Sequence, residues 1–315
     1  MKHILFINDL SKLVIKKDST LSFAISLKGL GHKVYLLFEE DFFLQTKGLQ
    51  AWELYEFSGK KDELGAYITS FELGKSSFSP INEGDIVHMR IDPPFDARYL
   101  RYLWMLRSLQ EKKVKVVNNP EGVLLFNEKL YALSKKESLA SFVGSSVKGF
   151  KHFINGLDDY EDLILKPLDL YQGIGVEKLL RSNFKNWEER FLEKVEKYEG
   201  AVVAQPYCKS VEKGEVRSVW FGELELGSIL KVPPAGSFLA NIAQGATYKR
   251  HELSAVEKRA CLNIMKELKK FGVPWVAFDL LDEKLSEVNI TCPGLIVEVS
   301  KAMKKDLGKL IAEKF

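Results

Sequence analysis

Trp275-Val-Ala-Phe-Asp279-Leu-Leu-Asp-Glu-Lys-Leu-Ser-Glu287-Val-Asn289-Ile-Thr-Cys-Pro293 is the stretch on which the reading of this chain turns. Two apolar runs flank Asp282-Glu283-Lys284, and the spacing predicts strands over 274–281 and 285–291 joined as a hairpin. With those three residues as the turn, the strands are symmetric about Glu283, so Asp279 stands directly across from Glu287. Asn289 lies two residues beyond Glu287, and strand alternation brings its amide oxygen to the same face. Two carboxylates and an amide oxygen among apolar neighbours make an oxygen-only donor set suited to Mg²⁺. A hairpin with one wet face also turns its acids outward at this spacing, so spacing alone leaves both readings open.

Around the hairpin the pattern is mixed. Ser254 to Phe271 reads as a long amphipathic helix, and Gly214 to Val232 as two strands meeting at a Phe221-Gly222-Glu223 turn. Earlier come a short helix at Asn127 to Leu133, a strand at Asp162 to Pro167, a helix near Trp187 to Tyr198 and a strand at Ala201 to Gln205. The first 120 residues differ from this. Apolar β-rich runs at 3–8, 32–38, 85–91 and 114–118 alternate with helical patterns at 19–30 and 97–111, which predicts an open parallel sheet with helices on its faces. There is no internal repeat, low-complexity tract or flexible linker.

Composition sets the outer bounds. The 315 residues are 46% apolar and 28% charged, an ordinary globular balance that excludes a disordered or fibrous chain. A net charge of +3 with interspersed signs gives no footing for a nucleic-acid or membrane partner. The C-terminal Lys301, Lys304, Lys305 and Lys309 are interrupted by Asp306 and Glu313, as on a solvated helix face. The opening Met1 to Asp9 reads as a first strand, not a signal peptide, and no apolar run approaches the ~18 residues of a membrane span. Cys208, Cys261 and Cys292 are widely spaced and odd in number, so neither a disulfide framework nor a zinc cluster is indicated, and the expected compartment is the cytoplasm.

Two lysines and a hinge add chemistry. Lys166 ends the apolar strand Leu163-Ile-Leu-Lys166-Pro167, where an ammonium can meet a phosphate as a point charge. Lys129 begins a helix, a poor position for a cation unless an anion is near. Taken singly, each is more often a surface lysine. In Ala204-Gln205-Pro206-Tyr207 the proline ends a strand and exposes backbone groups that can bond an adenine edge, although a plain crossover reads the same. A nicotinamide-dependent dehydrogenase is excluded because Asp9-Leu10-Ser11 follows the first strand, with no Gly-x-Gly-x-x-Gly turn to cradle a pyrophosphate.

The strings Ile15-Lys16-Lys17-Asp18-Ser19, Met89-Arg90-Ile91-Asp92-Pro93-Pro94-Phe95-Asp96, Val117-Asn118-Asn119-Pro120, Asn127-Glu128-Lys129-Leu130, Ile164-Leu165-Lys166-Pro167-Leu168-Asp169, Ala204-Gln205-Pro206-Tyr207 and Glu287-Val288-Asn289-Ile290-Thr291 occur in one order along the chain. In order and spacing the chain resembles bacterial glutathione synthetase from end to end. The Arg-x-Asp-Pro-Pro-Phe-Asp string is specific to that family, whereas the lysines and the metal acids are shared by ATP-grasp ligases generally.

The resemblance implies an α/β chain, α+β in its C-terminal part, with a Rossmann-like N-terminal domain followed by an ATP-grasp domain of two subdomains. The expected boundaries are 1–120, 121–203 with the phosphate-binding lysines, and 204–315 with the Mg²⁺ and substrate sites. Carried over by position, Lys129 and Lys166 contact the nucleotide phosphates, Gln205 and Tyr207 lie at the adenine hinge, and Glu215 faces the ribose. Asp279, Glu287 and Asn289 hold Mg²⁺, or Mn²⁺ in its place. Arg217 and Lys231, the latter where the family usually has Arg, neutralise the transferred phosphate. The implied activity is ATP-driven amide formation between a small-molecule acid and amine through an acyl phosphate, with γ-glutamylcysteine and glycine as the family's pair. A homodimer or homotetramer is implied as well.

Two loops depart from the family. Where Gly-Met-Gly-Gly is usual, this chain reads Leu170-Tyr171-Gln172-Gly173-Ile174-Gly175, so two positions free to adopt positive φ are lost, while Gly173 and Gly175 can still serve the phosphates. The substrate loop from Pro233 to Thr247 keeps Asn241 and Gly245, but Leu239 and Thr247 replace two arginines, which weakens recognition of a dipeptide with free carboxylates. Phe238 and Ile242 in that loop point to a more apolar acceptor. Cys292-Pro293-Gly294 stands where the family has Ser-Pro-Thr and then an Arg. Three readings follow: a glutathione synthetase with rebuilt substrate contacts, a ligase of the same architecture joining another acid and amine, or a non-catalytic nucleotide-binding homologue.

Overall fold

The computed structural model describes residues 1–157 and 162–315. The N-terminal sheet is built from β1 (Lys2–Ile7), β2 (Lys33–Phe38), β3 (Trp52–Lys61), β4 (Ile68–Ser79), β5 (Ile86–Arg90) and β6 (Lys115–Val117), in the order β4-β3-β2-β1-β5-β6. The first helix α1 (Ser19–Gly29) packs on one face and α2 (Ala97–Glu111) on the other. Strands β2, β1, β5 and β6 run parallel, as the apolar runs predict.

The sheet is not wholly parallel, however, because β3 and β4 form a long antiparallel hairpin that the sequence reading omits. Most of β4 is exposed, so it lacks the one-sided apolar alternation by which a half-buried strand is recognised.

Two short helices, α3 (Pro120–Leu125) and α4 (Glu128–Leu133), lead to a four-stranded antiparallel sheet. Its members are β7 (Phe142–Gly144), β8 (Leu163–Pro167), β9 (Glu177–Leu179) and β10 (Val202–Pro206), in the order β7-β10-β8-β9, with α5 (Val147–Asn155) and α6 (Trp187–Lys197) against it. Phe150, Phe191 and Val202 belong to a core that this unit keeps to itself.

The last sheet contains β11 (Glu215–Phe221), β12 (Leu224–Val232), β13 (Thr247–His251), β14 (Trp275–Leu281) and β15 (Lys284–Asn289), in the order β13-β12-β11-β14-β15. It carries α7 (Ala255–Lys270), α8 (Ile296–Met303) and α9 (Leu307–Ala312). One continuous core joins it to the N-terminal sheet, running from Leu5 and Phe23 through Val219 and Trp275 to Ile296 and Ile311. Asn118 reinforces that junction. Its Nδ2 donates to the carbonyls of Trp275 and Ile290, both at 2.7 Å, and its Oδ1 accepts from the Trp275 N–H at 3.1 Å. Among the described residues no helix is long and apolar enough to cross a membrane.

The decisive hairpin keeps its pairing by another route. Its turn holds two residues, Asp282 and Glu283, both in the left-handed region at φ 54° and 59°, as a tight hairpin turn requires. That turn pairs Leu281 with Lys284 and Leu280 with Leu285, which alone would set Asp279 against Ser286. A bulge after Asp279 absorbs one residue and restores the Asp279–Glu287 pair.

Candidate active site

Cross-strand register assembles the charged centre. On β11, Glu215 and Arg217 are two residues apart and share a face; Glu215 faces Lys231 on β12, and Arg217 faces Asp279 on β14. Arg217 donates from Nε to Asp279 Oδ1 at 2.9 Å and from Nη2 to Oδ2 at 2.6 Å. Lys231 Nζ bonds both Asp279 Oδ1 at 2.9 Å and Glu215 Oε2 at 2.8 Å. Asn289 Nδ2 donates to Asp279 Oδ2 at 3.2 Å and to the Ala277 carbonyl at 3.1 Å.

Burial favours a neutral Asp279, but Arg217 and then Lys231 outweigh it and hold the carboxyl far below the usual range. Lys231 is held above its ordinary value by Asp279 and Glu215 against its own burial. Glu215 is pushed up by burial, with Lys231 opposing.

Beside this centre lie the two lysines. Lys129 occupies the first turn of α4 and is buried; the anion near it is Glu287, at 3.5 Å, and its Nζ also reaches the carbonyls of Leu170 at 2.5 Å and Leu168 at 3.3 Å. Lys166 on β8 is 7% exposed, and burial lowers its pKa while the nearby Glu287 opposes that shift.

Together with Gln205, Tyr207, Glu215, Arg217, Lys231, Asp279, Glu287 and Asn289, these lysines line one cleft of about 620 Å³. Gln205 is buried and donates to Ser141 Oγ at 2.8 Å, so its side chain is held by the protein. Tyr207 stacks under Lys178 and bonds Glu212.

Asn241 also lines the cleft, and its Nδ2 donates to the Gln172 carbonyl at 2.5 Å, with Gln244 Nε2 at 3.3 Å from the same oxygen. The substrate loop is thereby fastened to the phosphate loop. Gly173 lies on the cleft wall at φ 73°, and Gln172 itself adopts φ 54°. The loss of positive φ expected from the missing glycine therefore does not occur at Gln172; hydrogen bonding of its carbonyl accompanies the left-handed backbone.

Gly175 and Gly245 lie off the wall. Gly175 gives its carbonyl to Lys194 at 2.9 Å, and Gly245 closes a short turn at φ 94°. Thr247 sits exposed on β13, away from the cleft, whereas Leu239 lines it.

Several residues of the site were not singled out in the sequence. Glu128 Oε1 accepts from Ile290 N, Thr291 N and Thr291 Oγ1 at 2.7, 2.9 and 2.8 Å, fixing the segment just after Asn289. Arg90 bonds Thr20 Oγ1 at 3.0 Å and the Pro293 carbonyl at 2.8 Å, with its guanidinium 4.2 Å from the Trp275 ring centre. The only signal for either was a charged residue inside a motif already quoted.

No group of three or more His, Cys, Asp and Glu side chains converges as a metal site among the described residues.

The architecture is that of an ATP-grasp ligase. D-Cycloserine synthetase DcsG superposes with a TM-score of 0.69 over 99% of both chains at 13% identity. The ATP-grasp ligase PsnB, complexed with a phosphomimetic variant of its minimal precursor, Mg and ADP, superposes at 0.62 over 99% of this chain and 97% of that one at 15% identity. At such identities the likeness is one of fold. The N-terminal domain of prokaryotic glutathione synthetase matches residues 1–123, and the ATP-grasp domain of the same family matches 128–304. The chain belongs to the prokaryotic glutathione synthetase family. Glutathione synthetase of Prochlorococcus marinus is 28% identical over 316 residues, covering 100% of this chain and 98% of that protein, and that of Shewanella oneidensis is 27% identical over 309 residues, covering 96% and 94%. The protein is thus an ATP-dependent, C–N bond-forming ligase of glutathione synthetase type.

Proposed function

We propose that the chain joins γ-glutamylcysteine to glycine while ATP is cleaved to ADP and phosphate. The observation that carries this reading is the Glu215–Lys231–Asp279–Arg217 network sharing one cleft with Lys129 and Lys166. In it, Lys129 and Lys166 hold the phosphates, Gln205 and Tyr207 flank the adenine, and Glu215 meets the ribose. The glycines Gly173, Gly175 and Gly245 shape the two loops, and Asn241 holds the loops together. Asp279, Glu287 and Asn289 would hold Mg²⁺ or Mn²⁺, which would supply charge screening for the phosphates.

Arg217 and Lys231 offset the negative charge that grows as the acid's carboxylate takes the γ-phosphoryl group and becomes an acyl phosphate. The acid then accepts the amine at its carbonyl carbon, and phosphate departs. No protein nucleophile is needed. The same reading divides the chain at 1–120, 121–203 and 204–315 and assigns it to the cytoplasm as a homodimer or homotetramer.

A second reading, another acid and amine on the same machinery, is favoured by one observation. Leu239 occupies the cleft wall where the family has an arginine. ADP release from Mg²⁺-ATP with γ-glutamylcysteine and glycine, beside an Asp279→Ala control, tests both. Release that needs both substrates and vanishes in the control supports the first. Release only with other acids or amines supports the second.

A further inference from the structure

Glu298 lies in the first turn of α8, on the wall of the cleft, and is 4% exposed. Its Oε2 has no hydrogen-bond partner among the described residues. The charges that act on it come from Lys17 ahead of α1 and Arg217 on β11, and Tyr248 of β13 lies close enough to sense its charge. An acid in the first turn of a helix is ordinarily favoured in its charged form. Here burial wins and pushes the carboxyl above its ordinary value. A carboxylate oxygen kept from water with nothing to bond it is costly, and at a cleft wall that cost is relieved by a donor arriving from the cleft.

The surroundings say which donor. Leu13, Leu239, Ile242 and Leu295 are apolar members of the same cleft wall, to which Asp18 and Asp92 add carboxylates and Lys17 an ammonium. The guanidinium there, Arg90, is committed to Thr20, Pro293 and the Trp275 face. Lys17 and Arg217 add cations to the same wall, so hydrogen bonding and not net charge selects the donor: the orphaned Oε2 needs an N–H or O–H, and the amine of the ligation brings one.

We propose that Glu298 is a catalytic base for the ligation, a role that rests on the ligase reading above. The amine substrate docks as its ammonium and gives one proton to the Glu298 carboxylate. The freed lone pair attacks the acyl-phosphate carbonyl carbon. The C–N bond forms, the C–O bond to phosphorus breaks with its electron pair leaving on phosphate, and the second amine proton goes to that phosphate.

The test uses Glu298→Gln, which keeps the shape and removes the base, with Mg²⁺-ATP, γ-glutamylcysteine and either glycine or hydroxylamine. Hydroxylamine is largely unprotonated at neutral pH and needs no base. The glycine-dependent kcat is expected to fall about 100-fold, while hydroxamate formation and the KM for ATP keep their wild-type values; Glu298→Asp is expected to recover part of the glycine rate. Equal loss with both amines, or loss with neither, overturns the base. A wild-type protein that yields hydroxamate but no glycine product overturns both glycine as the amine and Glu298 as its base. A wild-type protein inert with both overturns the proposed function itself, and the base falls with it.

Discussion

Arg217 grips Asp279 with two parallel hydrogen bonds across the β11–β14 ladder, and Lys231 bonds the same carboxylate from β12. Two buried charges, Asp279 and Lys231, and the partly buried Arg217 thus share one hydrogen-bonded cluster. Removing one member leaves the rest short of a partner, a costlier change than replacing the pair.

Arg217→Met is therefore expected to lower stability by about 3 kcal/mol in urea unfolding and to abolish ADP release. The double variant Arg217→Met, Asp279→Leu should recover part of that stability but none of the activity. A single variant as stable as the wild type would show that the fork carries no structural load.

The joint between loops makes a second prediction. Asn241 belongs to the substrate loop, yet its amide bonds the Gln172 carbonyl in the phosphate loop. Asn241→Ala should raise the KM for ATP about fivefold, as loss of roughly 1 kcal/mol implies. Initial-rate ADP release checks it, and an unchanged KM would mean that the loops act separately.

A third prediction concerns acid. His3 and His88 are fully buried with their rings in contact, Nδ1 to Nε2 at 3.0 Å. Burial lowers His3 to about 4 and His88 well below its ordinary value. Unfolded histidines bind protons below about pH 6.5, while the folded pair stays neutral down to about pH 4. Stability should therefore fall as pH drops through that window. His88→Phe should flatten the slope in chemical denaturation at stepped pH, and an unaltered slope would assign the acid response to other groups.

The two glycines off the cleft wall can be told apart. At Gly175, φ is 74° and an added Cβ would lie 2.2 Å from the Tyr198 hydroxyl; at Gly245, φ is 94° and the space is open. Gly245→Ala should cost about 1 kcal/mol from backbone strain alone. Gly175→Ala should cost about 2 kcal/mol more, because Tyr198 or the loop has to shift. Thermal melts compare them, and equal losses would refute the close contact.

The sequence showed the Asp279–Glu287–Asn289 face because one hairpin's alternation is a local property, and the bulge happened to cancel the shorter turn. It showed the parallel strands because their apolar runs are nearly continuous. The network around Asp279 was out of reach without the family resemblance. Arg217, Lys231 and Glu215 meet it only through the register of β11 against both β12 and β14, which long-range pairing sets. Glu298 gave no pattern of its own, being a single polar residue in an apolar run, and Asn118 stood in a quoted string without any sign of the junction it fastens.

The separate core of the four-stranded sheet has a mechanical consequence. The N-terminal and five-stranded sheets are welded by shared apolar packing and by Asn118, so they form an anvil that carries Asp279, Glu287 and Glu298. The unit built around Phe150 and Phe191 is the hammer, carrying Lys166. Swinging it away parts charged groups and loop hydrogen bonds and splits neither the core of the four-stranded sheet nor the one that joins the other two. Opening is thus cheap in hydrophobic terms, and what ties the two faces together is polar: the bonds from Asn241 and Lys129 to the carbonyls of residues 168–172.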